Sequence, residues 1–81
     1  MGPAASALIA RNIAAERVRH RWTQADLAEH LGVGRTTVAS WETGHRVIAV
    51  DALVPLCRAL GVPLVELLRG LDPEDLRVLG L

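Results

Sequence analysis

One run near the middle of the chain, TQADLAEHLGVGRTTVASWETG at positions 23–44, constrains the fold more than any other. Leu27, Ala28 and Leu31 recur at steps of three to four residues, which puts them on one face of a helix; Val38 and Trp41 repeat the pattern further on. Between the two sits Leu31-Gly32-Val33. Gly32 can adopt a left-handed backbone at almost no steric cost, so it can stop the first helix and turn the chain sharply. Val33 is then expected to point back into the angle. Ala28 is small where the two helices must come closest, opposite Val38. Thr23 is a good N-cap, with Asp26 three residues on as a variant capping box. Gly34 is an acceptable cap for the second helix but offers no side-chain acceptor. The spacing predicts two short helices joined by a tight turn, the second over about 35–43.

Eighty-one residues make one domain, 1–81, and with 51% of them hydrophobic a compact core is feasible without disulfides. The single cysteine, Cys57, allows neither an internal disulfide nor a four-cysteine metal site, and reads as a small core residue. No apolar run is long enough to span a bilayer, and no leader is evident, so a reducing, cytoplasmic setting is expected. The formal net charge is zero, but it is unevenly spread. Residues 1–46 carry six arginines against four carboxylates, and residues 47–81 three against five, giving +2 and −2. All three histidines lie in the first part. The positive part therefore surrounds the 23–44 unit.

Thr23-Gln24, Leu27-Ala28, Leu31-Gly32-Val33, Val38 and Trp41-Glu42 followed by Gly44 together resemble the helix-turn-helix unit of the lambda-repressor and Cro type, the XRE family. With flanking helices the resemblance covers roughly residues 6–69. It implies an all-α fold, a compact five-helix lambda-repressor-like DNA-binding domain, with a short sixth helix signalled at the C-terminus. It also implies a bacterial DNA-binding regulator of transcription. In this family an arginine at Arg17 pairs with the glutamate at Glu42; a half-buried guanidinium needs such a fixed carboxylate. A phosphate contact is a further expectation for Arg17. A glutamine at Gln24 is implied to bond a phosphate beside the free amides of the helix terminus. The loop at Gly44-His45-Arg46 is implied to do the same through His45 and Arg46.

The outer face of the second helix carries Arg35, Thr36, Ala39 and Ser40, none acidic, as the expected reading surface. Arg35 can fork onto O6 and N7 of guanine, the commonest specific contact in the major groove. Thr36 can touch a base edge or a thymine methyl, and Ser40 matches a base-contacting position of the family. Ala39 keeps the face short, and Thr37 is expected at phosphate. Trp22, where the family usually has leucine, reads as core. His30 reads as surface and Arg19-His20-Arg21 as a solvated basic helix end.

Around this unit, a loose start at 1–5 is expected, then a helix from a Ser6 cap to about Arg21, with Leu8 or Ile9, Ile13 and Arg17 on its inner face. The proline and serine that usually open the fourth helix in the family are Ile48 and Ala49 here, so Asp51 is the best replacement cap, for a helix over about 52–60. Its buried stripe would be Leu53, Leu56, Cys57 and Leu60. Pro63 is expected to open a fifth helix at its first position. Asp72-Pro73-Glu74-Asp75 signals the sixth: cap, proline, then two acids. Leu71, Leu76, Val78, Leu79 and Leu81 leave an apolar tail, and residues 63–81 are expected to make a homodimer.

The leading expectation is a sequence-specific regulator, a repressor in its simplest form, that binds a palindromic double-stranded operator as a symmetric dimer. A protein–protein interaction module that keeps the fold, or the DNA-binding part of an antitoxin or larger regulator, stays open. An enzyme is not expected. No nucleophile or acid–base pattern pairs with a histidine, and neither cofactor nor metal is called for.

Overall fold

The computed structural model describes residues 3–81, with side chains from Ala5 onward. Six helices follow in order, α1 (Pro3–Arg19), α2 (Gln24–Leu31), α3 (Arg35–Glu42), α4 (Val50–Leu60), α5 (Leu64–Leu67) and α6 (Pro73–Val78), with no strand among the described residues. The all-α expectation holds, including the sixth helix. Two helices of eight residues would be marginal alone. Packing holds them. Ile13, Leu27, Ala28, Val38, Trp41, Leu56, Leu60 and Leu67 form one buried cluster to which α1 through α5 all contribute. Truncating a fully buried leucine of that cluster, Leu56 for example, would cost about 2–5 kcal/mol.

Helices α1, α2 and α4 end alike. The N–H groups of Trp22, Val33 and Val62 return to the carbonyls of Arg17, Ala28 and Cys57 at 3.2, 3.0 and 3.1 Å. The residue before each is left-handed: Gly32 at φ 70°, Gly61 at φ 68°, and Arg21 at φ 59°. At Gly32 this closure produces the sharp turn between α2 and α3. Val33, however, lies over the turn more than a third exposed instead of in the core. Its backbone N–H does the closing, and its side chain only flanks the angle.

Several boundaries differ from the sequence-based reading. Met1 and Gly2, part of the expected loose start, lie outside the described residues, but Pro3 to Ala5 are already helical and Ser6 is inside α1, not its cap. Proline suits a first helical turn because its missing N–H has no partner there. The helix ends at Arg19, two residues early, where Arg21 makes the turn. The start of α4 is Val50, with Ala49 at the cap position and no side-chain cap. Asp51 is not the cap; it sits in the first turn, where a carboxylate suits the helix dipole. Burial of Leu56 and Leu60 fixes that helix more firmly than a missing cap can shift it. Leu53 and Cys57, expected in the stripe, are only half-buried. Pro63 is the cap residue of α5, one position earlier than expected.

Two buried polar residues on α1 were missed. The Asn12 side-chain amide donates to the carbonyls of Leu67 and Arg69, both at 2.9 Å, so it closes the end of the one-turn α5. Glu16, also buried, receives Arg19 at 3.0 Å and lies 3.7 Å from Arg69. α1 is thus amphipathic in two senses, apolar towards the turn unit and polar towards α5.

Candidate nucleic-acid interface

Val33 apart, the 23–44 unit is built as its residues predict. The Thr23 hydroxyl accepts from the Asp26 N–H at 3.1 Å and the Asp26 carboxylate accepts from the Thr23 N–H at 2.8 Å, a complete capping box on α2. The Thr23 backbone N–H first, and the interaction of its hydroxyl with the carboxylate second, hold the Asp26 carboxyl below its ordinary range. Gly34 caps α3 by backbone alone.

Arg17 forks onto Glu42, Nε donating to Oε2 at 2.7 Å and Nη2 to Oε1 at 3.1 Å. Its third nitrogen, Nη1, donates to the Trp22 carbonyl at 2.7 Å. The hydrogen bond to Glu42 raises the Arg17 pKa, against the opposing effect of burial. Glu42 also accepts from the Gln24 side-chain amide at 3.1 Å, and Gln24 in turn accepts from Arg35 Nη1 at 3.3 Å. A single polar chain therefore runs Arg17–Glu42–Gln24–Arg35. It ties α1 to both ends of α3 and to the first residue of α2. The only carboxylate on α3 is consumed in it, so the outward face of α3 carries no free negative charge.

On that face Arg35 and Thr36 are exposed, while Ala39 and Ser40 are half-buried. Across it lies a second group. Arg46 Nη1 approaches the Thr37 hydroxyl at 3.4 Å, its backbone N–H donates to the Ser40 carbonyl at 3.1 Å, and His45 Nδ1 lies 2.8 Å from the Thr43 hydroxyl. Gln24 and Arg35 are thus brought together on one flank of α3, and Thr37, His45 and Arg46 on the other. Thr43 was overlooked. It follows Thr36 by seven residues and Ser40 by three, so it continues the outer stripe. Its hydroxyl donates to the Ala39 carbonyl at 2.9 Å.

Trp22 packs against the core but is only half-buried. It is stacked between His20 and His30, ring centroids 4.4 and 4.1 Å away. His20 is therefore no free helix end; its Nε2 also lies 2.7 Å from the Leu60 carbonyl. Among the described residues no group of histidine, cysteine and carboxylates could hold a metal, and no helix is long and apolar enough to cross a membrane.

A short polar helix, presented to solvent and braced on a second helix through a glycine turn, defines a helix-turn-helix protein. The family model described as Helix-turn-helix matches residues 13–67, and the chain belongs to that family, in its XRE-type form. Solved structures agree. A hypothetical transcription factor, NHTF, from Neisseria is 33% identical with a TM-score of 0.75, covering 93% of this chain and 84% of its own. The restriction-modification controller protein C.AhdI from Aeromonas hydrophila is 25% identical with a TM-score of 0.74, over 79% of this chain and 97% of its own. The clp gene regulator ClgR from C. glutamicum shares the fold at 20% identity and a TM-score of 0.72, over 85% and 95%. Among curated protein sequences none matches.

Proposed function

We propose that this chain is a cytoplasmic, sequence-specific double-stranded-DNA-binding regulator of transcription, acting as a repressor and binding a two-fold-symmetric operator as a homodimer. The observation that carries the reading is the polar chain Arg17–Glu42–Gln24–Arg35. It removes the one acid of α3 from its outer face and fixes α3 against α1 and α2, as a rigid reading element requires. Arg35, Thr36, Ala39 and Ser40 meet bases in the major groove, with Arg35 on guanine. Gln24, at the N-terminus of α2, meets a phosphate through its side chain and the adjacent free amides. Thr37, His45 and Arg46 meet phosphates on the other flank, and Arg17 reaches one through its remaining donor hydrogens. The kinship with NHTF and C.AhdI supports regulation as the role.

The exposed apolar face of α6, with the zero net charge, favours a second reading as a protein-interaction module that keeps the fold. Selection from a pool of random duplexes separates the two. The regulator enriches one two-fold-symmetric site, with half-sites about one helical turn apart. An interaction module enriches none, and that result would remove the proposal.

A further inference from the structure

We propose that α6 of one copy docks its apolar side into a groove between α4 and α5 of a second copy, reciprocally in a two-fold dimer. The inference rests on the dimer proposed above and says how that dimer is built.

The groove measures about 360 Å³ and is walled by Leu53, Val54, Cys57, Val62 and Leu64, with Arg58 as the one charged group on its wall. No residue of the chain's own α6 lines it. Leu53 and Cys57 stand at core spacing on α4 yet are only half-buried, because their outer sides face the groove and no other described residue fills it. An apolar concavity of this kind binds compact apolar groups.

α6 supplies a matching convexity. None of its residues is buried, and Val78, Leu79 and Leu81 are 85%, 44% and 50% exposed. The segment is nonetheless shaped. Asp72 caps it by accepting from the Glu74 N–H at 2.9 Å. At the other end the N–H of Leu81 returns to the Leu76 carbonyl at 2.9 Å and that of Gly80 to Arg77 at 3.0 Å, with Gly80 left-handed at φ 81°. This closure commonly brings the side chains at its two ends together, here Leu76 and Leu81. Leu79 lies three residues beyond Leu76, on the same side, so the three leucines make a preformed knob that loses little freedom on docking.

Charge fixes the occupant. Asp75 precedes Leu79 by four residues and shares its side of α6, and Glu74 adjoins it. The wall of the groove carries Arg58. An acidic edge beside an apolar knob thus meets a basic edge beside an apolar groove, and a two-fold axis presents each pair twice.

Cys57, the chain's only cysteine, is a built-in reporter inside the groove. The Leu79→Cys variant is prepared as a mixture of isotopically heavy and light full-length chains, with circular dichroism to confirm folding. It is oxidised gently at mildly alkaline pH, since burial pushes the Cys57 thiol up. A disulfide from position 57 to position 79 that joins heavy to light chains is expected. In parallel, sedimentation equilibrium should show Arg58→Glu weakening the dimer about tenfold or more, and Arg58→Glu with Asp75→Arg restoring most of it. A dimer by sedimentation with no 57–79 link between chains, and indifferent to Arg58→Glu, overturns the docking while leaving the dimer intact. A link confined within single chains overturns it too. A monomer at every concentration overturns both the docking and the dimer, while the DNA selection described above still decides whether the chain reads sequence.

Discussion

Arg17 and Glu42 lie 25 residues apart in sequence, yet the guanidinium meets both carboxylate oxygens, at 2.7 and 3.1 Å. The side chains are 15% and 7% exposed, so neither charge is free to return to water. Removing one partner strands the other. Glu42→Leu or Arg17→Met should each cost about 3 kcal/mol, a fall in Tm of roughly 12–24 °C for a chain of this size. The double variant Arg17→Met with Glu42→Leu should lose much less, because no buried charge remains. Thermal and urea unfolding of the native chain, the two single variants and the double variant, read as a cycle, test this. A double-variant loss equal to the sum of the two single losses would show that the pair does not act as a unit.

The capping box predicts a pH signature. Asp26 has its folded pKa below the ordinary value of 3.8, through the Thr23 N–H and hydroxyl. Its contribution to stability is therefore complete above the unfolded value and is lost as pH falls through the folded one. Asp26→Asn should be less stable than the native chain at neutral pH, and the gap should close in acid. A gap that persists unchanged at the lowest pH where both proteins fold contradicts the assignment. Thr23→Ala should cost about 1 kcal/mol.

Arg21 is the one non-glycine residue with positive φ among those described. Arg21→Gly should stabilise by about 0.5–1 kcal/mol, the relief of left-handed strain outweighing glycine's extra freedom in the unfolded chain. Gly32→Ala should do the reverse by about 1 kcal/mol, through the local backbone alone, since nothing beyond the neighbouring residues lies within 4 Å of the added Cβ. Chemical denaturation of the two variants reads both signs.

Asn12→Ala should cost about 2 kcal/mol, because the carbonyls of Leu67 and Arg69 lose their donor. The loss should be local first. Amide exchange should quicken at 64–69 before it does in α2 and α3. Uniform acceleration would assign Asn12 to the global core instead.

Where local chemistry and tertiary packing agree, the sequence was readable. Thr23, Asp26, Gly32, Asp72 and Pro73 each act through bonds to residues within a few positions, and their helix ends fall as expected. The Arg17–Glu42 pair was legible only through family resemblance, since nothing local to either residue names the other. α4 was misread at its start because its register is set by Leu56 and Leu60 packing on distant helices, which overrides a missing cap. Asn12 and Glu16 were invisible because an asparagine or glutamate on a predicted helix reads as solvated until its partner, here residues 67–69, is placed. The outer face of α3 follows from helical periodicity. The same periodicity extended by one step would have included Thr43.

Whether Arg35 on α3 meets a base or only a phosphate is decided by one titration. Native and Arg35→Ala proteins are titrated by fluorescence anisotropy against the selected duplex and against a random duplex at the same salt. Base reading predicts that Arg35→Ala weakens binding to the selected duplex by roughly 1–3 kcal/mol and leaves random-duplex binding little changed. An equal loss on both duplexes would make Arg35 a phosphate contact, and no loss on either would take α3 out of recognition altogether.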